Sequence, residues 1–428
     1  MGFIGDSMKK VLVRAPVLTR TGYGEHGRFV MRCLRKIEDK IDIYLIPIRW
    51  GQSNWVWENS EEREWLDSLV HKTGEYQKQG GTFDVSLQVT IPNEWEKLAP
   101  VNIGITAGIE TDRVSPVWLQ KSNLMDKIVT ISEHSKNGFV NTVYEAVNDQ
   151  TGEKGILKCE TPIEVVHYPT KSYKYEQLKL NLKTDFNFLT VAQWGPRKNV
   201  GATISWFMEE FFDNPEVGLI VKTFVKGGSR LDRKELVKVL KHTAKGFETT
   251  PKCKVYLLHG DMTEEEMHSL YQHPKIKAFV SLTHGEGFGL PHFECAYSGT
   301  PVIAPDFSGY MDFLCCPKKN KKGKLETKPY FATVKYDLKE VHQESHWEGV
   351  IHPDFKWAYA KAASYKMRLR EMYKDHSRFK SQAKKLQKWV LENFSFEQQS
   401  EKLINFVFPQ DVMDLEVWLE NLDAEIHA

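Results

Sequence analysis

The sequence is poor in the features that commit a chain to a membrane, a secreted scaffold or a nucleic-acid partner. No apolar run approaches the ~20 residues needed to cross a bilayer, and the opening MGFIGDSMKK lacks a secretory apolar core. Gly2 raises the question of N-myristoylation, but Asp6 stands where that signal wants Ser or Thr. Only six cysteines occur, at 33, 159, 253, 295, 315 and 316, with neither a CxxC pair nor a framework spacing. Reduced thiols in a cytoplasmic setting are therefore expected. A charge excess is also missing: 58 basic against 57 acidic side chains leave a formal +1. That balance supplies no global field to draw the chain onto nucleic acid or anionic lipid. Metal-ligand spacing is absent too, since His259, Asp261 and His268 are too loosely placed to nominate, so neither metal nor cofactor is expected.

What is present is apolar material for two cores. The chain has 428 residues, 41% of them hydrophobic, and single cores stop growing near ~250 to 300 residues. Short apolar runs at 11–14, 43–46, 83–89, 101–106, 127–131 and 163–167 alternate with helical stretches such as 61–70 and 132–143. A second series follows at 186–192, 218–223, 255–259, 278–282 and 301–304. The alternation predicts an α/β chain with two Rossmann-like, doubly wound parallel domains. The first is expected over 1–170, a polar lysine-rich linker over 171–184, the second domain over 185–395, and C-terminal helices returning to the first domain over 396–428. Residues 148–155 read as a hairpin or surface insertion. Lysines 318, 319, 321, 322 and 324 read as a solvated basic loop or, more sharply, as a contact to an acceptor phosphate or nucleic acid. Basic amphipathic helices are expected over 358–373 and 381–390, and an acidic tail over 411–425.

The densest chemistry lies at 276–313. A strand there runs into Glu286, Gly287, Phe288 and Gly289, then into a helix from Leu290 and Pro291 to Ser298, which Gly299 ends. Such a unit places backbone N–H groups at the carboxyl edge of a parallel sheet, where open α/β folds bind ligands. Glu286 and Glu294 then offer two acceptors to one polyhydroxylated ligand, and Gly287 and Gly289 let the main chain come close. A similar turn occurs earlier, Thr21-Gly-Tyr-Gly-Glu-His-Gly27, ahead of a helix expected over 28–37. Gly22 and Gly24 there are candidate ligand-approach positions, with Tyr23 between them a candidate acceptor contact. The spacing satisfies G-x-G-x-x-G, but the strand 43–46 runs into Pro47 without the acidic residue that would hold a ribose, which argues against a dinucleotide.

The stretch Glu286-Gly-Phe-Gly-Leu-Pro-His-Phe-Glu294, followed by Ala296, Gly299, Thr300, Pro301, Val302 and Ile303, resembles the E-x7-E hallmark of the retaining glycosyltransferases of family 4, which have the GT-B fold. The resemblance implies two Rossmann-like domains facing a central cleft. It implies that Glu286 contacts a donor sugar, that Gly287 to Leu290 approach sugar and phosphate, and that Glu294 binds the nucleotide ribose. Gln193-Trp-Gly-Pro-Arg-Lys-Asn199 is similar to the family's phosphate-binding turn. Lys198 and Asn199 match it, whereas Gln193 stands where an arginine is usual. Either Arg197 moves in as the second cation, or the donor is held with one cation fewer. Met262, in the turn that follows 255–259, is placed by the resemblance near the nucleobase. Lys222, at a strand end, either points into the same cleft or is solvated.

On the acceptor side, Glu110 and Asp112 either bind acceptor hydroxyls, orient a base or cap the next segment. His134 reads as a residue of a helix start capped by Ser132. Trp50, Trp55 and Trp57 either stack on a ligand or pack locally. The expected function is metal-independent, retaining transfer of a sugar from a nucleoside diphosphate to an acceptor hydroxyl, with Glu286, Lys198 and Arg197 as catalytic candidates. The acceptor is a glycan, a small molecule or hydroxymethylated DNA. A nucleotide-sugar epimerase and a noncatalytic nucleotide-sugar binder are the alternatives.

Overall fold

The computed structural model describes residues 8–51, 55–56, 59–147, 152, 154–244, 246–319 and 323–409. Trp57, most of the stretch 148–153, the middle of the lysine-rich loop and the acidic tail lie outside the described residues.

The first sheet holds β1 (Lys9–Ala15), β2 (Ile41–Pro47), β3 (Val85–Val89), β4 (Val101–Thr106), β5 (Lys127–Thr130) and β8 (Ile163–Val165), ordered β2-β1-β3-β4-β5-β8. Every pairing in it is parallel. A hairpin of β6 (Tyr144–Val147) and β7 (Lys154–Leu157) stands apart. Strands buried on both faces read as continuous apolar runs, and Val11, Val13, Leu87, Ile103 and Ile105 are fully covered.

The second sheet repeats the plan with β9 (Phe186–Gln193), β10 (Val217–Phe224), β11 (Lys254–Leu258), β12 (Ile276–Val280), β13 (Val302–Pro305) and β16 (Ala332–Val334), ordered β11-β10-β9-β12-β13-β16 and again all parallel. The lysine-rich segment is held at both ends by a hairpin, β14 (Cys315–Lys319) against β15 (Leu325–Pro329), which extends the two described ends of the expected loop. No helix among the described residues is long and apolar enough to cross a membrane.

The first helix and residues 358–360 depart from expectation. The helix expected from residue 28 begins at Gly22, because the Thr21 side chain accepts from the Gly24 N–H at 3.0 Å and caps it. The glycine-rich turn is thus the first turn of the helix Gly22–Arg35. Gly24 serves close packing there: a Cβ would fall 2.0 Å from the Thr19 carbonyl oxygen.

The C-terminal return is expected over 396–428, of which residues 396–409 are described. The helix Phe396–Val407, capped by Ser395 and Gln398, buries Leu403 and Val407 in the core of the first domain, and Phe396 meets Phe29 edge-on at 6.1 Å. It is joined by a second crossing that the sequence did not announce. Residues 358–360 are the end of β18 (Lys356–Ala360), paired with β17 (Tyr336–Glu340), and the following helix starts only at Ala362. Between the two strands the chain reaches over the first domain, where Val341, Val350 and Phe355 join its core together with Trp357 of β18. Asn93 Nδ2 and Ser115 Oγ both donate to the Gly349 carbonyl, at 3.0 and 2.7 Å. This strap lashes the second domain to the first.

Candidate active site

The carboxyl ends of both sheets face a shared cavity of about 910 Å³. Its second-domain wall is built by two turns. After β9 the chain makes a single turn of 3-10 helix, Pro196–Lys198, and Asn199 takes a left-handed conformation (φ 50°, ψ 35°) to enter the helix Val200–Glu210. Asparagine tolerates that region better than most residues. After β12 the loop presents Glu286 and then, through Gly289 at φ 94°, starts the helix Leu290–Ser298.

These turns bring Arg197, Lys198 and Glu286 together. Lys198 Nζ lies 2.5 Å from Glu286 Oε1, and Arg197 Nη1 lies 3.0 Å from Glu286 Oε2 while also donating to the Gly285 carbonyl at 2.7 Å. Arg197 Nη2 reaches across the cavity to Glu110 Oε1 of the first domain at 3.2 Å. Burial would raise the Glu286 carboxyl, but Lys198 and then Arg197 hold it well below the usual range. Burial, with Arg197 alongside, lowers Lys198, and Glu286 offsets part of that. The site is a pair of cations closed on its own carboxylate counter-ion.

Gly287, Phe288, Gly289, Leu290, Gly22, Tyr23, Lys222, Gln193, Met262 and Glu110 also line the cavity. Gln193 donates to the Val225 carbonyl at 2.9 Å, and Lys222 donates to the Gly260 carbonyl. Tyr23 shares a hydrogen bond of 2.8 Å with Thr106 and packs its ring 4.7 Å from that of Trp50, which lines the cavity as well. Burial raises the Tyr23 phenol far above its ordinary value.

Three nominated residues do not line it. Gly24 faces Thr19, as described. Asp112 instead anchors the strap, its Oδ1 accepting from the Lys356 N–H at 2.7 Å. Glu294 accepts from the Tyr271 hydroxyl at 2.7 Å and lies behind the lining, where burial pushes its carboxyl up to about 7. His134 does follow Ser132, whose Oγ accepts from the Ser135 N–H at 3.1 Å and caps the helix.

The glycines of the second-domain loop have a further reason besides ligand approach. A Cβ on Gly287 would sit 2.1 Å from the Ala107 carbonyl oxygen, and one on Gly285 2.2 Å from that of Glu110. Both contacts join the two domains. Gly287→Ala is therefore expected to force the domains apart locally and to destabilise the protein by about 1–3 kcal/mol, the usual range for overpacking; a denaturant midpoint equal to the parent's would contradict it.

Sequence reasoning missed a buried ionic network on the first-domain side. Glu25 receives Arg28 Nη2 at 3.1 Å, Arg32 Nη1 at 3.2 Å and Lys171 Nζ at 2.7 Å, and Lys171 continues to Glu264 at 3.0 Å. Arg32 also grips Glu62, with Nε 2.5 Å from Oε1. A signal existed: positions 25, 28 and 32 share one face once the helix starts at Gly22. Lys171, from the expected linker, had no local signal.

The fold is the GT-B architecture, two Rossmann-like domains on a central cleft. Residues 176–325, which include both second-domain turns, match the family model described as glycosyl transferases group 1. No curated protein matches the chain in sequence. Among solved structures, the chain is similar to sucrose-phosphate synthase from Thermosynechococcus elongatus, at 12% identity and TM-score 0.57 over 93% of this chain and 98% of that one. It is likewise similar to Anabaena Alr3699/HepE, solved with UDP and glucose, at 13% identity and TM-score 0.55 over 93% and 99%. Against a mutant of S. aureus TarM solved with UDP, the identity is 14% and the TM-score 0.47, over 76% of this chain, which spans 55% of the length of that one.

Proposed function

We propose that the protein is a glycosyltransferase that takes its sugar from a nucleoside diphosphate bound in the cleft and delivers it, with retention and without a metal ion, to an acceptor hydroxyl. The observation that carries this reading is the convergence of Lys198 and Arg197 on Glu286, beside the main chain of Gly287 to Gly289, within a segment matching glycosyl transferases group 1.

The diphosphate lies against Lys198 and Arg197. As the bond between the anomeric carbon and the diphosphate oxygen breaks, negative charge grows on that oxygen, and two preorganised cations stabilise the transition state more than the ground state. The electron pair of the broken bond leaves with the nucleoside diphosphate. The acceptor oxygen attacks on the face the leaving group departs from, and a diphosphate oxygen takes its proton. Glu286 positions the donor sugar. Before the donor arrives it neutralises the same two cations, so donor binding exchanges a carboxylate partner for a phosphate one. Tyr23, Trp50 and Glu110 face the acceptor. Glu62, Glu110, Glu264 and Glu286 interleave with the lining arginines and lysines, which favours a glycan or small-molecule acceptor over a polyanionic duplex.

Purified protein incubated with a panel of UDP-, GDP- and ADP-sugars is expected to release nucleoside diphosphate from one of them, slowly alone and faster with acceptor extract. Release accompanied by sugar epimerisation and insensitive to acceptor would favour the epimerase alternative. Donor binding without release would leave a noncatalytic binder.

A further inference from the structure

The turn that carries Arg197 and Lys198 has a second face. While those two side chains enter the main cleft, Trp194, Gly195, Pro196 and Asn199 line another cavity, of about 650 Å³, bordered on its far side by the strap. Its aromatic surfaces come from three elements: Trp194 on the turn, Trp206 on the helix Val200–Glu210, and Tyr359 on β18, whose ring lies 4.2 Å from that of His284. Trp194, Trp206 and Tyr359 are each half-buried and line the cavity. The floor includes bare backbone: nothing stands within 4 Å of where a Cβ on Gly195 or Gly201 would be. Polar groups sit at the edge, with exposed His342 and Glu344 and the buried imidazole of His284, whose Nδ1 is committed to the Ala358 carbonyl at 2.8 Å.

The chemistry of this lining narrows the ligand. Among the described residues no lysine or arginine takes part, so beyond the first turn of the helix Val200–Glu210 and the His342 imidazole it offers little positive charge to a phosphate or sulfate. It is too open and too hydrogen-bonding at its rim for a purely apolar guest. Aromatic faces that stack on C–H bonds, hydrogen-bonding groups for hydroxyls, and a glycine floor that allows close approach suit a neutral saccharide. We infer that this second cavity is a carbohydrate-binding subsite that holds a segment of neutral oligosaccharide between the Trp194–Trp206 wall and the strap. The subsite stands on its own lining and does not depend on the transferase reading. It touches the main cleft through the backbone, because the His284 N–H donates to the Arg197 carbonyl at 2.8 Å.

Calorimetric titration of the full chain with maltohexaose and chitohexaose, in the absence of nucleotide, tests it. One of these neutral chains is expected to bind, and saturating UDP in the main cleft is expected not to compete. Trp206→Ala should weaken that binding about 10-fold, the loss of one aromatic platform. Gly201→Phe, which fills open space and so spares the fold, should abolish it. Binding of neither chain, affinity unchanged in both variants, or displacement by UDP would each overturn the subsite. Because UDP binding is read in the same titrations, failure here leaves a distinct record from failure of the donor cleft.

Discussion

Lys198→Ala is expected to lower the turnover number for sugar transfer by two to three orders of magnitude, on the order of 3 kcal/mol in the barrier, the range measured when one preorganised charge-stabilising donor is removed. The effect should fall on kcat more than on KM, because in the proposed reaction the diphosphate gains its full negative charge only as the glycosidic bond breaks. The variant has to be separated from a folding defect. Lys198 is one of two cations on a buried carboxylate, and leaving a buried charge uncompensated is strongly destabilising. Here Glu286 keeps Arg197 at 3.0 Å and the Ser308 hydroxyl, which accepts from the Glu286 N–H at 2.9 Å, still fixes its backbone. The fold should therefore survive, and a Lys198→Ala/Glu286→Gln pair controls for the unpaired charge. Arg197→Ala is the poorer probe, since it also cuts the bridge to Glu110 and the bond to Gly285. A pH profile adds a second reading. Burial and Arg197 lower the Lys198 pKa, so kcat/KM should decline on the alkaline side at lower pH than an ordinary lysine would dictate. Full turnover in Lys198→Ala would remove the diphosphate from this part of the cleft.

Much of this site was legible because it is local. The segment from Glu286 to Gly299 carries its own start and stop signals, and the helix begins at Leu290 and ends at Ser298 as Pro291 and Gly299 dictate. The strands of both sheets were legible for a related reason: buried parallel strands leave short, continuous apolar runs that turn residues bound on either side. The first-domain turn was misread where two local rules compete. Gly22, Gly24 and Gly27 advertise a loop, but Thr21 caps a helix through them, and the packing against Thr19 that makes glycine necessary at 24, like the close approach of Ala15 to 27, is tertiary.

The strap was illegible for a different reason. Val341, Val350, Phe355 and Trp357 have no helical or strand period among the polar residues between them, and their partners lie more than two hundred positions earlier in the chain, as with Ser115 and Gly349. The same holds for Arg197. Its proximity to Gln193 suggested a substitute cation, yet only the folded chain shows its guanidinium spanning Glu110 and Glu286 while Gln193 turns to Val225.

Glu25→Gln is expected to destabilise the protein by about 3–5 kcal/mol near neutral pH, the range for removing one partner of a buried ionic group. Glu25 is 8% exposed and holds Arg28, Arg32 and Lys171 at once. Arg28 is itself buried, and its remaining partners are the Val17 and Thr19 carbonyls, at 2.8 and 3.0 Å, which cannot offset its charge. Burial alone would raise the Glu25 carboxyl, but Lys171, Arg28 and Arg32 pull it down to about 2. A carboxylate with a depressed folded pKa contributes stability that is complete above its ordinary value and is lost as pH falls through the folded one. The window therefore runs from the ordinary glutamate value near 4.5 down to about 2. Glu286 is depressed in the same direction, so acid lability by itself does not identify Glu25. The difference between parent and variant does: the variant lacks the titrating group, so the gap in unfolding free energy should be widest near neutral pH and narrow steadily as the parent's Glu25 protonates. Urea denaturation of both proteins from neutral to acid pH measures that gap. A gap that stays constant across the window would show that Glu25 contributes packing and not charge, and an absent gap at neutral pH would show that the network does not hold the first helix to the cleft.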